Sequence, residues 1–189
     1  MRDYYTFITE QWIPAELDDV FAFFSDVENL RRIEPEAMRV RVEQKQLVAP
    51  ADVPQRFRRR AESYLGAGSQ VVLSYAPLAW FPLWRRRHRA YITRYRWGHH
   101  FTDEHNSWLM SWRHKHEFLA LEREGRRGTL VRDIVRYRLR PGLLGRLAHG
   151  LFARRLVREA FSYRHRALTQ IVSAGALLGQ GFLPRVVPA

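Results

Sequence analysis

The sequence contains no cysteine, and this absence excludes several kinds of site. Disulfide bridges, thiol nucleophiles and cysteine-ligated zinc or iron–sulfur centres all need that side chain. A chain without cysteine is compatible with a reducing compartment, and this favours the cytoplasm as its location.

Long apolar runs are also missing. None approaches the roughly 20 residues that a helix needs to cross a bilayer, so no transmembrane helix is expected. The segment from Met1 to Tyr5 has no apolar stretch of the kind found in secretory signals. We therefore expect a cytoplasmic protein, and we leave open a peripheral association at the inner membrane surface.

Linkers rich in glycine and serine, internal repeats and low-complexity stretches are absent too. The 189 residues are 46% hydrophobic and 27% charged, the balance of an ordinary globular chain. That length fits one domain. We predict a domain over residues 1–175 and a C-terminal tail over 176–189.

Lysine is scarce, and arginine supplies nearly all of a large positive charge. Only Lys45 and Lys115 are lysines, although the formal net charge is +13. Such an excess suits a phosphate-bearing partner, either nucleic acid or an anionic membrane. The arginines are spread along the chain, and no nucleic-acid-binding module is recognisable. We therefore favour solvated arginines and expect no nucleic-acid partner.

The hydrophobic pattern predicts an α+β chain with the long helix last. Residues 4–13 are typical of a strand, and 18–24 and 26–33 of short helices. Further strands are predicted over residues 38–47, 71–75, 83–96, 99–105, 109–121 and 129–139. Apolar residues then recur at helical spacing from Leu144 to about Gly175. Consecutive hairpins form an antiparallel sheet, and the long helix is the element large enough to cover one face of it.

Alternation assigns an inner face to the last two strands, because successive side chains of a strand point to opposite sides. The inner set of the first strand is Trp112, His114, His116 and Phe118. The inner set of the second is Val131, Asp133, Val135, Tyr137 and Leu139, with arginines on the opposite side. The predicted inner wall is mostly apolar and holds two histidines and one aspartate.

Turn positions predict which of these residues meet. A hairpin centred near Gly125 places Asp133 opposite His116 or Phe118. A carboxylate there can orient an imidazole, and it is costly to bury without a partner. We therefore expect an Asp–His pair on the inner face.

The preceding hairpin is expected to turn at residues 106–107. That centre places Phe101 opposite Trp112 and His99 opposite His114.

Several segments of the chain match the pattern of one known superfamily. They are Ile13-Pro14-Ala15, Val20 to Asp26, Phe101-Thr102-Asp103-Glu104, Trp112 to Phe118, Gly128-Thr129, Asp133 and Tyr137. Through them the chain resembles the START-like (SRPBCC) superfamily, which includes the birch pollen allergen, polyketide cyclase/dehydrases and lipid-transfer START domains. It is most similar to a small bacterial ligand-binding branch of unknown role. His88 and His105 depart from that branch, which has tryptophan and glutamine there.

The resemblance implies a helix-grip fold, in which a seven-stranded curved antiparallel sheet wraps around a long C-terminal helix and two short helices follow the first strand. It also implies a cavity that binds a hydrophobic or amphipathic small molecule, without chemistry of its own and with no cofactor. The residues predicted to contact this ligand are Phe101, Trp112, His114, His116, Phe118, Asp133, Val135 and Tyr137.

The two histidines leave other interpretations open. The simplest is that His114 and His116 are core residues bonded to Asp133 and the backbone. In a cyclase/dehydrase-like enzyme, His116 acts as a general base tuned by Asp133. A metal site of His99, His114 and His116 is a further alternative, because two histidines on one strand and one across from them can ligate zinc.

One aromatic and basic segment is a candidate membrane contact. Trp80, Phe81 and Trp84 precede Arg85 and Arg87, and aromatic rings beside arginines suit the headgroup boundary. A peripheral carrier of a lipid or isoprenoid is therefore a second alternative to simple binding. The simpler interpretation is a hairpin with packed rings and solvated arginines.

Overall fold

The computed structural model describes residues 4–76, 85–107, 110–139 and 153–177. These ranges contain seven strands: β1 Tyr5–Ile13, β2 Arg41–Gln46, β3 Gln70–Tyr75, β4 Arg86–Arg96, β5 His100–Asn106, β6 Met110–Arg123 and β7 Arg126–Leu139. The α-helices are α1 Leu17–Ser25, α2 Leu30–Ile33 and α3 Arg154–Ser173. Short 3-10 helices cover Val27–Asn29, Glu36–Met38 and Gln55–Ser63. The predicted α+β helix-grip fold is confirmed.

The strands form one antiparallel sheet in the order β1-β7-β6-β5-β4-β3-β2. Chain neighbours are sheet neighbours from β2 to β7, as expected for successive hairpins. The first strand pairs with the last, so β1 and β2 form the two edges. The short helices lie between these two strands in the chain, except the 3-10 helix Gln55–Ser63, which lies between β2 and β3.

The hairpin of β6 and β7 turns where the sequence indicates. Glu124 and Gly125 have φ angles of 53° and 72°, the left-handed conformation that a two-residue type I′ turn requires. The resulting register pairs His116 with Asp133. The predicted Asp–His pairing across this hairpin is confirmed.

The hairpin of β5 and β6 differs from the expectation. Its pairs on the inner face are Phe101 with His116, Asp103 with His114, and His105 with Trp112. The predicted pairing of Phe101 with Trp112 and of His99 with His114 is therefore wrong. The physical reason is that the hairpin is centred two residues later in the chain than expected: Asn106 still pairs with Ser111, and the Ser107 amide donates a hydrogen bond to the Met110 carbonyl (2.8 Å).

Helix α1 closes one end of the inner face. Phe21 is fully buried, with its ring centroid 4.8 Å from that of Phe118 and 5.1 Å from that of Trp97. Phe24 packs on Phe118 at 5.4 Å, and Phe101 lies 6.1 Å from Phe21. We call these five residues, Phe21, Phe24, Trp97, Phe101 and Phe118, the packed end.

Helix α3 covers the same face of the sheet. Phe161 and Leu168 are its large buried apolar residues, and Phe161 packs on Phe7 of β1 at 5.2 Å. Gln11 of β1 donates to the His165 carbonyl (2.9 Å), which fixes the helix to the sheet edge. The predicted helix began at Leu144, but residues 140–152 lie outside the described part of the chain.

The start of the predicted tail packs on the domain. The Ala176 carbonyl accepts a hydrogen bond from Arg32 (2.7 Å), and Leu177 is buried in the core. Residues 178–189 lie outside the described part.

Candidate functional site

The face beneath α3 brings all eight predicted ligand contacts together on β5, β6 and β7. Three rows cross these strands: Phe101, His116 and Asp133; Asp103, His114 and Val135; His105, Trp112 and Tyr137. Phe118 pairs with Val131 in the adjacent row. Their shared face follows from the two-residue period of the strands. Their role in ligand binding stays a prediction.

Two histidines and two aspartates meet in the middle of this face. Asp133 Oδ1 accepts a hydrogen bond from His114 Nε2 (2.9 Å) and lies 2.8 Å from His116 Nδ1, at an angle that does not complete a second bond. Asp103 Oδ2 lies 3.6 Å from His114 Nδ1 and 3.4 Å from His116 Nε2. We call Asp103, His114, His116 and Asp133 the Asp–His cluster.

Asp103 is the member of the cluster that sequence reasoning missed. Its side chain is 22% exposed, whereas the other three residues are nearly inaccessible. The alternation of Phe101, Asp103 and His105 along β5 could have assigned it to the inner face. Asp103 is therefore the most solvent-accessible member of the cluster.

Aromatic rings surround the cluster on both sides. Phe101 stacks on His116 with ring centroids 4.3 Å apart, and Phe24 of α1 lies 5.9 Å from the same imidazole. From α3, Phe161 approaches His114 edge-on at 5.4 Å. The cluster thus lies between the packed end and α3.

The pKa values of the two histidines in the cluster are shifted in opposite directions. Burial lowers the pKa of His114, and the neighbouring His116, with ring centroids 3.8 Å apart, lowers it further. Burial also lowers the pKa of His116, but Asp103 and Asp133 outweigh that effect and raise it above its ordinary value. Only one imidazole is readily protonated, because two like charges at this separation repel.

The carboxylates stay ionised at neutral pH. Burial alone raises the pKa of Asp133, yet its two histidine partners hold that pKa well below its usual range. The pKa of Asp103 is also lowered, because the histidines again outweigh burial. With His116 protonated and His114 neutral, the cluster carries one net negative charge.

A second group of imidazoles lies beside the cluster. The rings of His88 and His105 are 4.7 Å apart, and His105 stacks on Trp112 at 6.1 Å. Burial, with a smaller contribution from His105, lowers the pKa of His88 to about 4. These are the two positions that depart from the resembled branch. They extend the inner wall with neutral, flat side chains.

The metal set predicted from sequence is not assembled. His99 is exposed in the turn between β4 and β5, whereas Asp103 occupies the position opposite His114. The alternative site of His99, His114 and His116 is therefore wrong in its third ligand, because the β5–β6 hairpin is centred two residues later than expected.

The candidate membrane segment is described only in part. Trp80, Phe81 and Trp84 lie outside the described residues. Arg85 Nη1 donates to Ser74 Oγ (2.7 Å) and to the Arg39 carbonyl (3.0 Å). Arg87 lines a surface cleft with Glu43, Gln44, Val72 and Arg89. Within the described ranges no helix is long and apolar enough to span a membrane.

A sequence-family model matches most of the chain. Its description is a domain of unknown function, DUF8410, and the match covers residues 47–172. None of the curated proteins compared with the chain matches it.

Solved structures with the same architecture are numerous but distant in sequence. Norcoclaurine synthase from Thalictrum flavum, a point mutant with a transition-state analogue, has a TM-score of 0.58 at 11% identity, covering 92% of this chain and 97% of that one. TTHA0849 from Thermus thermophilus has a TM-score of 0.59 at 20% identity, covering 91% and 99%. Ara h 8.0201 has a TM-score of 0.54 at 12% identity, covering 91% and 99%. The predicted START-like fold is confirmed.

Proposed function

We propose that this chain, which belongs to the DUF8410 family of domains of unknown function, binds an amphipathic small molecule between its sheet and α3. The observation that carries the proposal is the Asp–His cluster, a set of charged groups on an otherwise aromatic buried face. START-like folds offer a scaffold for ligand binding, and pockets of this kind combine an apolar wall with a few fixed polar groups.

The apolar part of the proposed site lies next to the cluster. Trp112, half-buried, packs on Tyr137 at 5.9 Å and approaches His114 edge-on at 6.2 Å. Val135 is fully buried and pairs with His114 in the adjacent row. An apolar ligand body against Trp112 is therefore within reach of the cluster.

The charge of the cluster defines the ligand's polar group. Asp103 is partly exposed and carries a negative charge, so it can accept a hydrogen bond from a bound molecule. A hydroxyl, phenol or N–H group suits this acceptor, whereas an anionic group is repelled. The proposed ligand is an apolar molecule with a hydrogen-bond donor.

Binding without chemistry is the function that the geometry supports best. A general base must be free to take a proton, but both nitrogens of His116 already lie against carboxylates, which raise the pKa of the imidazole and favour its protonated form. The sequence-based role of His116 as a base therefore fits less well than a role in orienting a ligand.

The second candidate function is that of an enzyme in which His116 acts as a general acid instead of a general base. The carboxylates of Asp103 and Asp133 raise the pKa of His116, which favours the protonated form that a general acid requires. The similar fold of norcoclaurine synthase supports this candidate in general terms, since that protein is an enzyme. In this interpretation Asp133 positions the imidazole and Asp103 contacts the substrate.

Native mass spectrometry of the purified protein, followed by organic extraction, tests the proposal. We expect one bound molecule of defined mass per chain in the wild type, and less of it in Trp112→Ala. The matched control is Ile8→Ala, an exposed residue of β1 that should retain the ligand. Equal retention by Trp112→Ala would contradict the proposed site. Conversion of the extracted molecule on incubation with fresh protein would favour the catalytic candidate.

A further inference from the structure

We infer that Asp103, His114 and His116 form a site for a divalent transition-metal ion, with Asp133 on the far side of both imidazoles. This inference goes beyond small-molecule binding and does not depend on it. The juxtaposition that carries it is one nitrogen of each histidine facing Asp103 and the other facing Asp133.

The three donor atoms have the spacing of metal ligands. One nitrogen of His114, one of His116 and an Asp103 oxygen all lie within 4.8 Å of one another. The Asp103 oxygen is 3.6 Å and 3.4 Å from the two nitrogens that face it. Zinc bonds of about 2.0–2.1 Å in a tetrahedral arrangement separate neighbouring ligand atoms by roughly 3.4 Å. A small inward adjustment of the side chains brings all three to bonding distance.

Asp133 takes the place of an outer-sphere carboxylate. A single oxygen of this residue lies 2.9 Å from His114 Nε2 and 2.8 Å from His116 Nδ1, the nitrogens that point away from Asp103. Metal-bound histidines commonly donate their remaining N–H to a carboxylate, which fixes the tautomer and the ring orientation. The same oxygen faces both imidazoles here: it accepts a hydrogen bond from His114, and a rotation of the His116 ring would complete the second bond.

Charge balance supports a dication. Asp103 and Asp133 together carry two negative charges when both histidines are neutral, and this charge is largely buried. A divalent ion compensates it completely, whereas a protonated His116 compensates only half. The positive charge of Arg164 on α3 also interacts electrostatically with both carboxylates, but Arg164 already forms an ion pair with Glu34.

The backbone holds the ligands in place before an ion binds. His114 and His116 are two residues apart on β6, so they share a face, and the β5 register puts Asp103 directly opposite His114. Three protein ligands leave a fourth position open, and the partly exposed Asp103 gives access to it. Two imidazoles and one carboxylate favour Zn²⁺ or Fe²⁺ over Ca²⁺ or Mg²⁺, which prefer oxygen ligands.

Calorimetric titration of the chelator-treated full-length protein with Zn²⁺ tests the site. We expect one high-affinity ion per chain in the wild type. Asp133→Asn should weaken binding by about 10–100-fold, the usual cost of losing an outer-sphere partner. Asp103→Asn, which removes a direct ligand, should weaken it further. Glu104→Gln is the matched control, because this carboxylate is the next residue of β5, faces the other side and pairs with Arg113.

Two further measurements make the result decisive. Co²⁺ in a tetrahedral site absorbs visible light far more strongly than hydrated Co²⁺, so its spectrum reports the geometry even where a variant folds poorly. His99→Ala should leave Zn²⁺ affinity unchanged, since His99 is exposed in the preceding turn. The inference is overturned if the wild type binds no stoichiometric ion, or if Glu104→Gln or His99→Ala weakens binding as much as Asp103→Asn. Either result leaves the small-molecule proposal standing.

Discussion

The packed end and the Asp–His cluster are neighbours on one strand, yet they are built from opposite chemistry. Phe118 and His116 are two residues apart on β6 and share its inner face. Phe118 packs on the aromatic rings of α1, whereas His116 meets two carboxylates. The same alternation that places apolar side chains on the inner face thus also places a charged group there. Burial alone therefore does not distinguish a stabilising residue from a functional one.

The two regions differ in what they contribute to stability. Burying an aromatic ring at the packed end is favourable by about 1.5–3 kcal/mol. Burying charged groups costs desolvation energy that their mutual attraction only partly recovers. Three nearly inaccessible titratable residues in one cluster are therefore a candidate for function rather than a requirement of the fold.

The largest effect should come from the packed end. Phe21→Ala removes a fully buried ring that contacts Tyr95, Trp97, Phe101 and Phe118. We expect a loss of about 3–5 kcal/mol in the free energy of unfolding, from lost burial and the cavity left behind. Urea denaturation measures it. A loss below about 1 kcal/mol would show that α1 does not pack as described.

The next effect should come from Asp133→Asn within the cluster. Because the variant removes one of the two carboxylates that face the buried His116 imidazole, we expect a loss of about 3 kcal/mol, the lower end for breaking a buried ion pair. The pKa of His116 should fall, as measured by NMR titration. A histidine with a raised pKa adds stability below its unfolded value of 6.5 that is lost as pH rises through the folded pKa. The cost of the variant should therefore shrink in alkaline solution, and an unchanged His116 pKa would contradict the pairing.

A smaller effect on the free energy of unfolding is expected from His88 at acidic pH. Its pKa is lowered from 6.5 to about 4, so the unfolded chain binds its proton first as pH falls. Stability linked to His88 is complete above pH 6.5 and is lost between pH 6.5 and 4. In the wild type this loss should be about 2 kcal/mol, which is less than the pKa shift alone would give because the side chain is partly exposed. The variant His88→Gln should lack this loss. Parallel stability curves for both proteins over this range would refute the assignment.

The smallest effect should come from the outer face. Ile8→Ala changes a residue of β1 that is 58% exposed, whereas its neighbour Phe7 packs on Phe161 beneath α3. We expect a change within about 0.5 kcal/mol, as is usual for surface positions. Thermal unfolding checks this, and a larger loss would mean that the outer face is covered.

The sequence predicts the strand faces well because alternation is a local property. The inner sets of β6 and β7 follow from the period of two, and the turn at Gly125 places His116 opposite Asp133. These two strands supply three of the four members of the Asp–His cluster.

The fourth member depends on a register that a local pattern does not determine. Asp103 reaches His114 only because the β5–β6 hairpin is centred two residues later than the turn expected at residues 106–107. A turn shifted by two residues moves every partner four residues along the strand, while the faces stay the same. This is why His99 was expected where Asp103 lies.

Contacts from α3 could not be predicted either. Phe161 covers His114, and Arg164 pairs with Glu34, which is 130 residues away in the chain. Helical spacing shows which residues share the apolar side of α3 but not which part of the sheet they meet. Only the docked helix reveals that the cluster is covered.

The most direct test of the proposed binding site is an ¹⁵N NMR titration of the histidine side chains with N-phenylnaphthylamine, a neutral apolar probe with an N–H donor. The account predicts shifts at His114 and His116, saturating at one probe per chain, with no shift at the exposed His99. Saturable binding that leaves both cluster imidazoles unmoved would contradict it, because the probe would then occupy another part of the molecule.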